Sequence, residues 1–237
     1  MKPLALAPIL VLLAMACSSR APATQPTAGA GEAWRPLFNG KDLSGWQQVG
    51  SAEWRVDHKE GWPAMIVGGQ DGDPKRSGLL STVEQFQNFE LELDFMIDEH
   101  GKYNSGVYLR NQPGRGGRTG YQINIGRGQV QEYTAGLFTD KWLDKGDEHD
   151  AIRKVLDWNT LRILADGPHI VVHLNGQKVV DYTDPNPDPK FLQKGVLSFQ
   201  TYGAEGHAGW VKFRNLRIRP LPDSPSATQP SVKSAKP

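Results

Sequence analysis

The feature that most restricts the fold of this chain is a two-residue alternation of apolar and mostly polar side chains. It is clearest in residues 89–97, which read Phe-Glu-Leu-Glu-Leu-Asp-Phe-Met-Ile. Successive side chains of a β-strand point to opposite faces, so this pattern predicts a strand with one face in a core and one in water. The same alternation recurs in shorter stretches whose apolar members are Val107 and Leu109, Ile123 and Ile125, Ile170, Val172 and Leu174, Leu197 and Phe199, and Val211 and Phe213.

Turn signals between these stretches favour an all-β domain. Asn175-Gly176 stands between residues 169–174 and 177–182, and this dipeptide is the strongest short-range signal of a β-hairpin. No segment between Trp34 and Leu221 has a convincing amphipathic-helix pattern, although residues 147–156 have room for a turn or two. We therefore predict one domain over residues 34–221, an all-β sandwich or jelly roll of two antiparallel sheets.

The N-terminus predicts export. Residues 1–17 contain an apolar run that is shorter than the about 20 residues of a transmembrane helix and is typical of a signal peptide. It ends at Cys17, the only cysteine, in a string similar to a bacterial lipoprotein cleavage site. This indicates cleavage before Cys17 and lipidation of its thiol. Leu13 lies four residues before the cysteine rather than the usual three, so an ordinary signal cleaved after Ala16 is the alternative.

The remaining terminal segments and the overall charge restrict the partners. Residues 18–33 and 222–237 are rich in Ala, Pro, Thr, Gly and Ser, so we predict a disordered tether and a disordered tail. The formal net charge of +1 gives no electrostatic reason to expect nucleic acid as a partner. Membrane contact is expected only through a lipid anchor at Cys17. The expected location is the bacterial envelope, as a lipoprotein in the periplasm or at the outer membrane; with an ordinary signal the protein is instead periplasmic or secreted.

The alternation also predicts which side chains share an outward face. If Val107, Leu109, Ile123 and Ile125 point into the core, their neighbours point outward together. This outward set comprises Tyr108, Arg110, Gln122, Asn124, Gln200 and Tyr202. An ordinary solvent face is rich in Lys, Glu and Thr, whereas flat rings and planar amides suit sugar hydroxyls. We predict a saccharide-binding face, with a sheet face covered by an insertion loop as the alternative.

Seven short strings along the chain resemble one family in their order. They lie at residues 37–46, 88–91, 104–110, 120–122, 158–160, 174–176 and 213–218. Together they are similar to the 3-keto-disaccharide hydrolase family, also described as 3-keto-glucoside 1,2-lyase / 3-keto-2-hydroxy-glucal hydratase. The resemblance covers essentially the whole predicted domain. It implies a concanavalin-like jelly roll and carbohydrate chemistry on its concave face in an exported bacterial protein.

The chemistry implied by the resemblance is elimination and hydration of a keto-sugar, a net hydrolysis. A ketone at C3 acidifies the hydrogen on C2, so the site needs a base, an acid for the leaving oxygen and a donor for the enolate. Candidates are Glu132 as base, Tyr202 or Lys141 as acid and Arg110 as donor. In the alternative without catalysis, Glu132 is a loop carboxylate, Tyr202 is a packing residue and Lys141 is a solvated charge. Substrate-binding candidates are Asn104, Tyr108, Gln122, Asn124 and Gln200.

Two departures from the family pattern leave a second hypothesis open. Many members have Glu where this chain has Gln122, and His where it has Tyr202; His207 lies five residues beyond the latter. Neither Gln nor Tyr is a base at neutral pH without a large perturbation. A non-catalytic carbohydrate-binding module is therefore the alternative. No cofactor is implied. Asp71-Gly72-Asp73 has two acids around a glycine, as in calcium loops, so a bound divalent cation is a further alternative.

Overall fold

The computed structural model describes residues 32–70, 77–99, 103–112, 119–126, 132–203 and 209–222. Over these ranges the chain forms fifteen β-strands and one 3-10 turn, η1, at Pro189–Phe191. The strands are β1 Arg35–Pro36, β2 Trp46–Gly50, β3 Trp54–Asp57, β4 Met65–Gln70, β5 Ser77–Phe86, β6 Phe89–Ile97, β7 Tyr103–Asn111, β8 Tyr121–Ile125, β9 Leu137–Phe138, β10 Trp142–Asp144, β11 Asn159–Asp166, β12 His169–Leu174, β13 Gln177–Thr183, β14 Gly195–Gly203 and β15 Gly209–Pro220.

The strands form two antiparallel sheets. The eight-stranded sheet has the order β13-β12-β11-β6-β15-β4-β3, with β1 paired to β15. The seven-stranded sheet has the order β10-β9-β8-β7-β14-β5-β2. Strands β4 to β7 alternate between the two sheets, as do β14 and β15, so the chain repeatedly crosses the sandwich. This arrangement confirms the predicted all-β, concanavalin-like jelly roll.

The core lies between the sheets, and β6 shows how the sequence produces it. Its odd-numbered apolar residues are at most 2% exposed, whereas the residues between them lie on the opposite face. From the other sheet, Val107, Leu109, Ile123 and Ile125 are fully buried against them. Burying each such side chain stabilises the fold by about 1.5–3 kcal/mol. The predicted alternation of β6, β7 and β8 is therefore confirmed on the core side.

The predicted hairpin is also present. Leu174 of β12 pairs with Gln177 of β13 across the two-residue turn. Asn175 and Gly176 have φ of 51° and 83°, and a type I′ turn needs positive φ at both central residues. The Asn175 side chain also donates to Asn159 Oδ1 at 2.9 Å, which ties the turn to the start of β11.

The segment at residues 147–156 does not form the turn or two of helix that the sequence had room for. The Asp147 carboxylate accepts hydrogen bonds from the backbone N–H groups of Ala151, Ile152 and Arg153, at 2.9 to 3.1 Å. Those N–H groups are therefore not available to a helical ladder. Within the described residues no helix is long and apolar enough to cross a membrane.

Two neighbouring positions of β11 test which side chains point into the core and which point to the outer face of the sheet. Ile163 is fully buried in the core, whereas Leu164 lies half-buried on the outer face. We expect Ile163→Ala to lower the free energy of unfolding by about 3 kcal/mol, because it leaves a cavity. Leu164→Ala should lower it by less than about 1 kcal/mol. Urea denaturation of both variants measures this, and equal losses would contradict the assigned faces.

Candidate functional site

A row of side chains crosses the outer face of the seven-stranded sheet from one edge to the other. The row follows directly from the cross-strand pairs and runs Gln47, Ser81, Ser198, Tyr108, Gln122, Phe138, Trp142. With strands about 4.8 Å apart, it is about 29 Å long. Beside it, Gln200 and Asn124 face each other across Gly106, and Asn104 pairs with Tyr202. We call the surface formed by these eleven side chains the site face.

The structure brings six predicted residues together on the site face. They are Asn104, Tyr108, Gln122, Asn124, Gln200 and Tyr202. Several are nearly inaccessible, since Gln122, Asn124 and Gln200 are 6%, 4% and 3% exposed. Polar side chains with so little exposure need internal hydrogen-bond partners.

Amide side chains supply those partners to one another. Gln122 Nε2 donates to Gln200 Oε1 at 2.8 Å. Asn104 Nδ2 donates to Asn124 Oδ1 at 3.1 Å, and Asn124 Nδ2 donates to the Tyr133 carbonyl at 3.0 Å. Each primary amide has two N–H donors and a carbonyl with two lone pairs, so these bonds fix the orientation of the amides and leave donors and acceptors for a ligand.

Gly106 makes room for the link between Gln122 and Gln200. A Cβ built at Gly106 would lie 2.5 Å from Gln122 Nε2 and 3.1 Å from its Cγ. The Gln122 side chain therefore lies across β7, over the missing Cβ, to reach β14. Any larger residue at this position would displace the amide.

A hydroxyl cluster adjoins the amides; the alternation around Leu197 and Phe199 predicts that its Ser198 points outward, but its other members were not predicted. The Oγ atoms of Ser81 and Ser198 are 2.8 Å apart, and Asn111 Nδ2 donates to Ser198 Oγ at 3.0 Å. Asn111 Oδ1 in turn accepts from the Thr119 backbone N–H at 3.0 Å. Simple alternation from Tyr108 puts residue 110, not 111, on this face, so no sequence signal indicated Asn111.

The prediction that Arg110 points outward is wrong. Arg110 is fully buried and has φ of 56°, and the β7–β14 register shifts here, with Tyr108 opposite Ser198 but Asn111 opposite Val196. Such a bulge inserts an extra residue and turns the side chains beyond it. The bulge directs the Arg110 side chain to the end of the sandwich and brings Asn111 to the hydroxyl cluster.

The Arg110 guanidinium is used to join turns. Nη1 donates to the carbonyls of Gly167 and Phe191 at 2.9 and 3.1 Å, and Nε donates to the Gln87 carbonyl. Burial lowers the pKa of Arg110 to about 10, so the group stays protonated at neutral pH. Its contacts therefore support a positioning role rather than contact with a ligand on the site face.

Aromatic rings form a wall at one end of the site face. The ring centroids of Trp142 lie 4.9 Å from Phe138 and 5.0 Å from Tyr133, both in edge-to-face geometry. All three residues are half-buried. Phe138 and Trp142 lie in β9 and β10, which have only two and three residues, too short for an alternation to reveal them.

The remaining candidate residues separate into two places. Glu132 immediately precedes Tyr133, whose carbonyl binds Asn124, so its backbone lies beside the site face next to the aromatic wall. Lys141 is exposed at the β9–β10 turn and lines a different cleft of about 480 Å³ together with Tyr182 and Asp184. The structure therefore brings the backbone of Glu132 to the border of the site face and does not bring Lys141 there.

The chemical character of the site face is neutral and hydrogen-bonding, because all eleven of its side chains are uncharged. Among the described residues no group of three or more His, Cys, Asp or Glu is placed to hold a metal ion. His207, Cys17 and the Asp71-Gly72-Asp73 loop lie outside the described residues. Such a surface can orient a hydroxyl-rich ligand and pack a ring against it.

Comparison with known proteins identifies one matching family. The family model described as a 3-keto-alpha-glucoside-1,2-lyase-like domain matches residues 33–219. A Bacteroides thetaiotaomicron protein named 3-keto-disaccharide hydrolase is 26% identical over 231 residues, which cover 78% of this chain and 77% of that protein.

Two solved structures from Bacillus subtilis are similar in fold. A protein with a galectin-like fold has a TM-score of 0.59 and 14% identity, with 81% of this chain and 96% of that chain covered. The carbohydrate binding module CBM66 has a TM-score of 0.50 and 18% identity, with 74% and 95% covered. At these identities the likeness bears on the fold alone.

The contacts of Arg110 predict a large effect of a conservative substitution. A lysine has a compact ammonium that cannot reach the carbonyls of Gln87, Gly167 and Phe191 together. We expect Arg110→Lys to lower the free energy of unfolding by about 3 kcal/mol, because buried carbonyls lose their donors. Urea denaturation measures the loss. Arg55→Lys, at a partly exposed arginine, is the matched control; if it costs as much, Arg110 does not tie the turns together.

Proposed function

Because this chain belongs to the 3-keto-alpha-glucoside-1,2-lyase-like family, we propose that it is an exported enzyme that cleaves or hydrates 3-keto-glycosides on the site face. The family connects the chain with carbohydrate chemistry. The observation that carries the proposal is the uncharged row of amides, hydroxyls and aromatic rings across the seven-stranded sheet.

The composition of the row supports a saccharide ligand. The oriented amides of Gln122, Asn124 and Gln200 offer paired donors and acceptors, which match neighbouring sugar hydroxyls. Trp142 and Phe138 offer apolar ring surface for the C–H face of a pyranose. Binding sites of this kind combine apolar surface with a few oriented polar groups.

The proposed reaction consists of an elimination followed by a hydration. A base removes the proton from C2, an acid protonates the glycosidic oxygen, and the C1–O bond breaks to give the free alcohol and a 3-keto-2-hydroxy-glucal. Water then adds across C1=C2, with the hydroxyl on C1 and the proton on C2. The sum is hydrolysis to the alcohol and the 3-keto sugar, with no oxidant or reductant consumed.

The described geometry supports Glu132 as the base and Tyr202 as the acid. Asn104 and Asn124 form a hydrogen-bonded pair; Tyr202 pairs with Asn104, and Glu132 immediately precedes Tyr133, whose carbonyl binds Asn124. A substrate ring over this pair would have one group on each side. Amide N–H groups on the face, such as those of Gln122, take the place of Arg110 as donors to the developing enolate oxygen.

A non-catalytic carbohydrate-binding module is the second candidate function. Two observations favour it: Gln122 and Tyr202 stand where many family members have titratable side chains, and the fold is similar to that of the binding module CBM66. In this alternative the same amides and rings hold a sugar that is not turned over.

Turnover of a 3-keto-disaccharide tests the catalytic proposal. The full chain should convert 3-keto-trehalose to glucose and 3-keto-glucose. Chromatography of the products measures this conversion. We expect Glu132→Gln to lower kcat by at least about 100-fold with little change in KM, because the amide cannot accept the C2 proton. Glu60→Gln, at an exposed turn residue, should leave kcat unchanged.

Two outcomes would contradict the catalytic proposal. Full activity of the Glu132→Gln variant would remove Glu132 as the base. Binding of keto-sugar or unoxidised sugar by the wild-type chain in calorimetry, without product under any metal condition, would favour the binding module.

Export and lipid anchoring are part of the proposal, supported by the sequence of residues 1–17. We expect the chain expressed in a bacterial host to incorporate labelled palmitate and to fractionate with membranes. Cys17→Ser should abolish the label and Ser18→Ala should retain it, as seen by autoradiography. An unlabelled wild-type chain in the soluble periplasmic fraction would instead indicate an ordinary signal cleaved after Ala16.

A further inference from the structure

The outer face of the eight-stranded sheet has a different character from the site face. On β6, the carboxylates Glu90, Glu92 and Asp94 point outward between neighbouring strands. The cationic side chains that face them come from β11 and β15, namely Arg162, Lys212, Arg214, Arg217 and Arg219. With Asp166 at the end of β11, this face therefore has five cations for four carboxylates along β6, β11 and β15. We call these nine residues, with the indoles described next, the arginine–tryptophan face.

Indole rings hold the cations of this face in place. The Trp34 ring centroid lies 5.0, 5.3 and 5.9 Å from the guanidinium carbons of Arg217, Arg219 and Arg162. Further along β15, Arg214 lies 3.9 Å from the Trp158 ring and 5.7 Å from the Trp62 ring, and Lys212 Nζ lies 4.2 Å from the Trp210 ring. Cation–π contacts of this kind restrict long side chains and so lower the entropy they lose on binding.

The hydrogen bonds within this face use only some of the guanidinium N–H donors. Among the described residues Arg162 and Arg219 each bond through Nη2 alone, and both bond to Glu90. Arg217 bonds to Glu92 through Nε and Nη2. Each guanidinium has five N–H donors, so most are not used by protein acceptors here. The side chains of Arg162 and Arg217 are 50% and 51% exposed, which puts these donors within reach of a ligand.

Two adjoining cavities lie on this face. One of about 710 Å³ is lined by Trp34, Asn215 and Arg217 over an apolar floor that includes Phe38 and Leu216. Another, of about 390 Å³, is lined by Thr160, Arg162 and His173. Glu92 lines both cavities, so they adjoin at this carboxylate, and we call the two together the groove, which extends across β15, β6, β11 and β12.

The cross-strand register explains the direction of this groove. Arg217 pairs with Glu92, Glu92 with Arg162, and Arg162 with His173. Three strand spacings give the groove a length of about 14 Å, which accommodates a short oligosaccharide segment. The volumes are within the range of ligand sites, about 300–1,000 Å³.

We propose that this groove is a second saccharide-binding site, separate from the site face, and that it binds a carboxylate-bearing polysaccharide. The excess of cations and the unused guanidinium donors match carboxylates, which arginine binds through two parallel N–H···O bonds. The mixed lining of an indole, an apolar floor and polar side chains matches a sugar ring. A concave groove is also a poor fit to a flat lipid surface.

Affinity electrophoresis of the full chain in gels with polygalacturonate tests the proposal. Wild-type protein should be retarded by polygalacturonate and not by the neutral polymer pullulan, and the retardation should weaken in 0.5 M salt. The double variant Arg162→Gln/Arg217→Gln should weaken binding by at least about tenfold, because two charge-assisted contacts are lost. The matched control, Lys190→Gln/Lys194→Gln, removes the same charge from exposed positions outside the eight-stranded sheet and should bind like wild type. Circular dichroism and thermal melts confirm that both double variants fold.

Further arms separate this site from the site face and from other ligands. Gln122→Ala changes the site face and should leave polygalacturonate binding unchanged. Turnover of 3-keto-trehalose and binding of polygalacturonate can therefore be lost independently, so failure of one proposal is distinguishable from failure of the other. The proposal is overturned if wild type is not retarded, or if the two double variants bind alike. It is also overturned if Gln122→Ala abolishes binding, or if anionic phospholipid vesicles or RNA bind more tightly than polygalacturonate.

Discussion

The site face depends on the register between β7, β8 and β14. In this register Tyr108 lies opposite Gln122 and Ser198, and Gly106 lies between Asn124 and Gln200. Side chains alternate with a period of two, so a slip by one residue would turn every amide of the face into the core. Two local features support the register: the missing Cβ of Gly106, which lets Gln122 reach Gln200, and the bulge that buries Arg110. The Arg110 guanidinium then joins the end of β7 to the turns around Gln87 and Gly167, so a buried cation supports the strands of the neutral site face.

Alternation alone predicts much of this arrangement and fails at identifiable points. It places β6 and the Asn175-Gly176 hairpin correctly, because both are governed by local rules of strand period and turn conformation. It also gathers Tyr108, Gln122, Asn124, Gln200 and Tyr202. It fails at Arg110 because a bulge adds a residue without any local pattern. The aromatic wall was missed because β9 is held by pairing with β8 and β10 by pairing with β9, contacts that two or three residues cannot encode by themselves.

The polar side chains on the two outer faces of the sandwich are oriented by different interactions. On the site face, buried amides are oriented by hydrogen bonds to each other, and the surface is uncharged. On the arginine–tryptophan face, cations are oriented by indole rings and by carboxylates on β6. Burial alone would raise the pKa of Glu90, but hydrogen bonds from Arg162 and Arg219 outweigh it and hold the pKa below its usual value. Glu90 thus stays ionised and keeps both arginines extended across the sheet. One face therefore suits neutral hydroxyls, and the other suits acidic groups.

Many members of the family have Glu at the position of Gln122, and the amide here affects where a base can act. A carboxylate at this 6%-exposed position would be strongly desolvated, and its pKa would rise towards the range useful for proton abstraction. Gln122 instead donates a hydrogen bond to Gln200 and can only orient a ligand. In the proposed reaction the base then comes from the border of the face, where the half-buried Glu132 immediately precedes Tyr133, whose carbonyl binds Asn124. A base at the border remains closer to water than one at the centre. Since the second half of the proposed reaction adds water to C1=C2, that location suits hydration, while the central amides hold the ring in place.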